Sequence, residues 1–589
     1  MPAEAVTADA VSRPIPRVLV RSILIVAALA ALSIVHVRAT GLFDIADVYL
    51  LEQDGLVLVL LCAGLFALSR LPLAAETRLC DRLSDPALGQ IVLWSCIASV
   101  LVVATAGWSL VLQRYPLSLD EFWALFDTRI FARGLLAAPV PEAWRPLAAA
   151  LQPVWRLEVV GDTVWGSTYL PVNAALRAAF GAVGAEDLAS AAWAVLACLM
   201  TWRLARRFWP DRQDAAVVAV LLLATSSQLL FTAMTPYAMS AHLALNMAWL
   251  VLFLEDRPWT RVAAVAVGLL ACGLHQLIFH PLFVAPFVLE LWLARRWRAA
   301  AFYTVSYALI GGFWTLYWSL LLDVVHAHAA IAGEAGAGFW LVRVTQLLQD
   351  FDPLGAGTVA KNLLRFIAWQ HPLALPLLLA ALPGAALAKG PLRPLVWGAV
   401  LTLLVVFVLM PEQGLGFGYR YLHGFLGGLA LVGAQGWIRL TDPTGDGRPL
   451  AVRTAFVAAT AVAVLVLLPL HAWQSWTLAR PYIRASAAIA GSRADVVLVE
   501  HTGMRHGLDL VRNDPFLANR PKVMSLYRVE TETLRQLCRG GTVALFDRRD
   551  GYRLGVPALE QSPGPYAARI RALLADPSVC RPAPAFAAP

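Results

Sequence analysis

Two short stretches hold side chains that can do chemistry. SLDEFWALFDTRIFARG (Ser118 to Gly134) opens on acidic residues, and PEQGLGFGYRYLHGF (Pro411 to Phe425) sets one arginine among aromatic rings. A positioned carboxylate accepts a hydrogen bond or a proton from a hydroxyl, and a guanidinium holds a phosphate through its planar fork of donors. Ser118 followed three residues later by Glu121 is a capping box, so a helix starts there, and Gly134 suits the C-prime position. Asp120 and Asp127, about two turns apart, share one face, while Glu121 points roughly 100° away. Asp120 is therefore the candidate base and Asp127 the secondary one, with Glu121 a helix cap and also a substrate-binding candidate. Dipole compensation in the first helical turn is the competing account of Asp120. Tyr419, Arg420, Tyr421 and His423 either bind substrate, with Arg420 on a phosphate, or form an interfacial aromatic belt with a snorkelling arginine.

Other polar residues lie inside apolar runs. In GLHQLIFHPLF, His275 and His280 stand about 140° apart around a helix, which disfavours a zinc pair. They either line a substrate cleft or pair with neighbouring helices, as do His242 and Asn246, which share a face. Asp323, His326 and His328 can hold a divalent metal or simply form a solvated loop. No metal site and no cofactor is expected.

The elements that position these residues follow from composition. At 589 residues, 59% hydrophobic and 15% charged, with a mean hydropathy of +0.65, the chain reads as an all-α polytopic membrane protein. Its net charge of +8 sits in short clusters at the ends of apolar runs, where it marks topology rather than nucleic-acid binding. About thirteen runs suit a transmembrane helix: 18–37, 55–70, 89–112, 187–205, 215–232, 238–254, 260–275, 279–294, 300–321, 366–387, 394–410, 422–438 and 451–472. Arginine and lysine alternate sides along that series. Arg13, Arg17 and Arg21 flank the start of the first run, Arg70, Arg78 and Arg82 mark the end of the second and the loop after it, and Arg203, Arg206, Arg207, Arg212, Arg257, Arg261, Arg295, Arg296, Arg298, Lys389, Arg393, Arg439 and Arg448 continue the pattern. This places the N-terminus in the cytoplasm. A membrane domain over 1–473 then carries outer loops at about 113–186 and 322–365, and 474–589 forms a small extracytoplasmic α/β domain with β-like runs at 495–500, 522–527 and 542–547. Cys62, Cys96, Cys198 and Cys272 fall in spans and Cys80 in an inner loop, leaving Cys538 and Cys580 outside as one disulfide or two free thiols.

The aspartate-glutamate pair in an early outer loop, the following STYLPVNAAL (Ser167 to Leu176), the span ending RLARRFWPD and the late GYRYLHGF resemble the GT-C glycosyltransferases. Their dolichyl-phosphate-mannose protein mannosyltransferase-like branch, family 39, is the nearest in pattern. Where many relatives carry His-Pro-Pro after the acidic loop, this chain has Tyr169, Leu170 and Pro171. The resemblance implies a GT-C-like fold and a sugar moved from a polyprenyl-phosphate donor to an envelope glycan, lipid or protein on the outer face by one inverting displacement. Asp120 would be the base and Arg420, with Tyr419 or Tyr421, the phosphate clamp; Tyr169, His275, His280 and His423 join the substrate-binding candidates. Membrane lipids are the expected surroundings, no nucleic acid is a partner, and a bacterial cytoplasmic (inner) membrane suits the alanine-rich, lysine-poor composition. A transporter or flippase of lipid-linked glycans, or an oligosaccharide ligase or polymerase, is the alternative.

Overall fold

Hydrocarbon offers no partner to a backbone amide, so apolar runs fold as helices that satisfy themselves. The computed structural model describes residues 14–41, 44–70, 85–329, 355–442, 449–562 and 564–581, with the single residues 345, 349 and 586. Arg13, Arg78, Cys80, Arg82 and Arg448, together with most of the 322–365 loop, lie outside the described residues. All thirteen apolar runs are helical over most of their length. Among the described residues, seven helices are long and apolar enough to cross a membrane alone: Arg17–Thr40, Ile45–Arg70, Pro86–Leu110, Glu186–Phe208, Trp297–Val324, Leu392–Leu409 and Ala451–Ala490. Gln213–Ala224 and Ser227–Ala233, bent by 54°, form an eighth crossing when taken as one span. Ser226 starts the second half, its hydroxyl accepting from the Leu229 N–H at 3.3 Å.

The remaining helices are shorter. Met239–Glu255, Pro258–Cys272, Phe279–Leu293 and Ala374–Ala385 have 12 to 17 residues and rise about 18–26 Å, less than the roughly 30 Å of hydrocarbon. Such helices can be short where protein rather than lipid surrounds them. Met239–Glu255 and Leu426–Thr441 are buried along most of their length, whereas Pro86–Leu110 and Trp297–Val324 expose Trp94, Val102, Val305 and Leu309, as helices against lipid tails do.

Buried charge ties the first helices to a later one. Arg365, on Gly355–Ala368, pairs with Asp54 at 2.9 Å, both side chains being 1% exposed. Lys361, one turn earlier, holds Asp47 at 2.7 Å and Asp44 at 3.0 Å. Charges this deep persist only when paired.

The helix Ala451–Ala490 carries the chain out to the C-terminal domain. There Val496–Val499 lies between Lys522–Ser525 and Val543–Phe546 in a three-stranded parallel sheet. All four residues of the central strand are buried, as a parallel sheet covered on both faces requires. Cys538 and Cys580 form a disulfide, tying the helix Thr531–Gly540 to the chain's end. The expected small α/β domain is thus present. It shares one hydrophobic core with the 113–186 segment, in which Trp123, Phe126 and Trp165 pack with Leu498, Leu517 and Met524. The acidic helix is thereby clamped between two units.

Candidate active site

The acidic helix spans Leu119–Phe131 and begins as its sequence requires. Glu121 Oε2 accepts from the Ser118 N–H at 2.7 Å and from its hydroxyl at 3.0 Å, while Ser118 Oγ accepts from the Glu121 N–H at 3.3 Å. Gly134, at φ +72°, closes the far end: its N–H donates to Phe131 O and that of Leu135 to Ile130 O, the Schellman pattern. From the C-terminal domain Arg512 donates to the Pro116 and Leu117 carbonyls, and Pro515 O accepts from Trp165 Nε1 at 2.7 Å. The first turn of the helix is therefore held from outside as well as by its own cap.

Asp120 meets Arg420 across 300 residues of sequence, with Arg420 Nη1 donating to Asp120 Oδ2 at 2.6 Å. The Tyr169 hydroxyl donates to Oδ1 at 2.5 Å. These groups border a cavity of about 270 Å³ that also touches Trp155, His275, Tyr421 and, from the C-terminal domain, His506 and Asp509. A narrower cleft shares Arg420, Tyr421 and His275 and runs on to His242 and Asn246 between Phe279 and Phe425. Asp120 thus stands in the wall of the larger cavity, and Arg420 lines both spaces.

Tyr169 is placed by Asp127, whose oxygens accept from the Ser167 N–H at 3.1 Å and hydroxyl at 2.5 Å. Ser167 Oγ in turn accepts from the Tyr169 N–H at 3.2 Å. Asp127 shares the face of Asp120 yet is occupied in anchoring this loop. The Tyr169 ring lies 4.0 Å from that of His275, centre to centre.

Arg420 depends on an equally specific loop. Gln413 Oε1 accepts from the Arg420 N–H at 3.0 Å, and Gln228 brackets Tyr419 through both its N–H and its carbonyl. Arg365 donates to the carbonyls of Gly416 at 2.8 Å and Gly418 at 3.2 Å. Gly418 sits at φ +65°, and a Cβ on Gly416 would lie 2.6 Å from Arg420 Cδ, so both positions require glycine. Tyr237 lies under the guanidinium, 5.0 Å from its ring centre, and donates its hydroxyl to Leu415 O at 2.6 Å. Arg420 Nε is buried without a partner, leaving donor capacity for a ligand oxygen.

We expect Arg365→Leu to destabilise the protein by about 3–5 kcal/mol, because Asp54 would stay buried without its cation. Adding Asp54→Leu should recover most of that stability in thermal unfolding, yet leave activity low, since the Gly416 and Gly418 carbonyls lose their donor in both variants.

The structure brings together Asp120, Tyr169, His275, Arg420 and Tyr421. Tyr421 donates to Glu412 O at 2.9 Å and stacks on Phe279. Tyr419 and His423 lie buried behind Arg420, with the Tyr419 hydroxyl and both His423 nitrogens unpartnered. His280 stands apart: its Nδ1 meets Asn246 Oδ1 at 2.7 Å and its Nε2 the Tyr307 hydroxyl at 2.7 Å, so it joins helices. His326 and His328 lie just beyond the end of the Trp297–Val324 helix, where the His328 carbonyl accepts from the Val160 N–H at 2.8 Å. Sequence reasoning missed Tyr237, Gln228, Gln413 and Arg365. Arg365 had a signal, since Lys361 and Arg365 stand i,i+4 on one helix facing a run of early aspartates.

The carboxyls around the helix titrate differently. Burial pushes Asp120 upward, but the Arg420 guanidinium, with His275 and Tyr169, outweighs it and holds the group below its ordinary range. Burial raises Glu121, Asp127 and Asp509 each to about 7, their hydrogen bonds offsetting only part of the cost. A raised carboxyl stabilises the fold fully below its unfolded value near 4, and that contribution disappears as pH rises through about 7. The contribution of these three carboxyls to the thermal midpoint in nanodiscs should therefore fall between pH 5 and pH 8. Glu121→Gln, which keeps the capping box, should flatten the decline.

Fold and site together define an integral membrane protein with an acid–arginine pair in a cavity shared by its membrane and C-terminal domains. Among solved structures the chain is similar to ArnT from Cupriavidus metallidurans bound to undecaprenyl phosphate, at 15% identity and a TM-score of 0.47, over 71% of this chain and 84% of that one. It is also similar to the apo state of that protein, at 14% identity and a TM-score of 0.43, over 75% and 86% of the two chains. No family model matches the sequence, and no curated protein matches it.

Proposed function

We propose that this protein is a GT-C-type glycosyltransferase that moves a sugar from a polyprenyl-phosphate donor to an envelope acceptor on the outer face of a bacterial cytoplasmic membrane. The observation that carries the reading is Asp120, held 2.6 Å from Arg420 and 2.5 Å from Tyr169 beside a cavity of about 270 Å³. In this reading the donor phosphate reaches Arg420 while its prenyl chain stays in the surrounding membrane. The acceptor oxygen bonds to the anomeric carbon as the bond from that carbon to the phosphate oxygen breaks. The electron pair leaves on the phosphate, where Arg420 offsets the charge, and the acceptor proton passes to Asp120 and then to solvent. Phosphate is a good leaving group once its charge is neutralised, so one base and one cation suffice. Each oxygen of Asp120 keeps a lone pair beside its present donor, available to the incoming hydroxyl. Attack opposite the phosphate inverts the anomeric centre.

Mass spectrometry of lipid-linked sugars tests this reading in cells carrying wild type, a deletion or Asp120→Asn. A polyprenyl-phosphate monosaccharide should accumulate in both mutants. Normal lipid-linked sugars in the deletion, with Asp120→Asn restoring a normal envelope, would overturn the transferase and favour a transporter.

A further inference from the structure

The cavity wall facing Asp120 comes from parts of the chain outside both motifs. Trp155 is 53% exposed, though an indole at a polar cavity has no hydrophobic reason to be bare. It stacks on Tyr169 with ring centres 5.9 Å apart and planes 26° from parallel, and Tyr169 continues the row to His275. The C-terminal domain adds His506, whose Nε2 is buried without a partner, and Asp509, which borders the same cavity. Trp155 and His506 both hold left-handed backbone, at φ +57° and +51°. Strained non-glycine residues concentrate where a side chain must be aimed, and these two border the same cavity.

We infer that the acceptor is a carbohydrate hydroxyl, seated against Asp120 by Trp155 of the outer loop and by His506 and Asp509 of the C-terminal domain. The inference rests on the transferase reading and adds the acceptor class to it. A pyranose ring presents a face of C–H bonds that packs on an aromatic plane, and a rim of hydroxyls that both donate and accept. Trp155 supplies the plane. Asp509 and the free nitrogen of His506 answer the rim, with Asp120 left for the reacting hydroxyl. At about 270 Å³ the cavity lies just below the usual range for drug-sized ligands, about 300–1,000 Å³, a scale suited to sugar rings. The C-terminal domain then selects the acceptor as well as clamping the acidic helix.

The test first fractionates the envelope of the deletion strain into polysaccharide, protein and lipid and finds which lacks the sugar. Saccharide released from the deficient polysaccharide then serves as acceptor, and the lipid-phosphate sugar accumulated by that strain as donor, for full-length protein in nanodiscs. Trp155→Ala and Asp509→Asn should each lower transfer at least about tenfold, mainly through a higher acceptor KM, with donor affinity unchanged. Trp155→Phe should retain most activity, which separates stacking from bulk. Loss of the sugar from protein or lipid instead of polysaccharide, or wild-type kinetics in both variants, would overturn the carbohydrate assignment. Absence of any accumulated lipid-phosphate sugar would overturn the transferase reading itself, so the two failures are distinct.

Discussion

Asp120→Asn should lower kcat for sugar transfer by about 10²–10⁴-fold, the usual worth of a positioned base, while leaving donor affinity close to wild type. Asparagine has nearly the same shape and still accepts from Tyr169, whose hydroxyl now bonds Oδ1 at 2.5 Å. It cannot take a proton, and it gives up the charge that pairs with Arg420. The capping box of Ser118 and Glu121 does not involve this side chain, so the helix start survives. Single-turnover kinetics in nanodiscs, with donor binding measured in parallel, checks both halves of the expectation. Asp127→Asn is the control: its oxygens serve Ser167, so its effect should be smaller and come through misplacement of Tyr169. Equal losses in both variants would mean that Asp120 acts only by holding the site together.

Arg420→Ala should lower kcat/KM by about 10²–10³-fold, as loss of one group stabilising transition-state charge does, and should also weaken the donor. The pH profile separates these effects from simple damage. Arg420 is the largest of the influences holding Asp120 down against the upward push of burial. Without it the carboxyl titrates higher. A base must be ionised, so the acidic limb of the activity profile should move to higher pH in the variant. Arg420→Lys restores charge but not the planar fork, and should recover the limb more fully than the rate. An unchanged limb in Arg420→Ala would uncouple Arg420 from Asp120.

Much of this site was legible in the sequence because its signals are local. A capping box needs only two side chains three residues apart, and Ser118 and Glu121 form it. The shared face of Asp120 and Asp127 follows from helical periodicity alone. Hydropathy located the helices, since a backbone in lipid has few alternatives, and composition separated the C-terminal sheet from the bundle. Hydropathy could not tell a helix that meets lipid from one enclosed by others, nor place a helix's ends: the run 366–387 holds the 12-residue helix Ala374–Ala385. Residues whose role is set by distant partners were hidden for the same reason. Nothing near Gln228 announces that it braces the Arg420 loop, and nothing near Trp155 announces the cavity.

By itself the sequence determined that this is a helical membrane protein with a small α/β C-terminal domain, and that an acidic helix start and an arginine-aromatic loop are its chemical resources. Periodicity, capping and hydropathy act over a few residues, so one dimension suffices to read them. Only the tertiary structure decided that Asp120 and Arg420 meet, that Asp127 is an anchor and His280 a link between helices, and that the C-terminal domain walls the cavity. Those outcomes depend on how helices far apart in the chain pack, and packing depends on the shapes of many side chains at once.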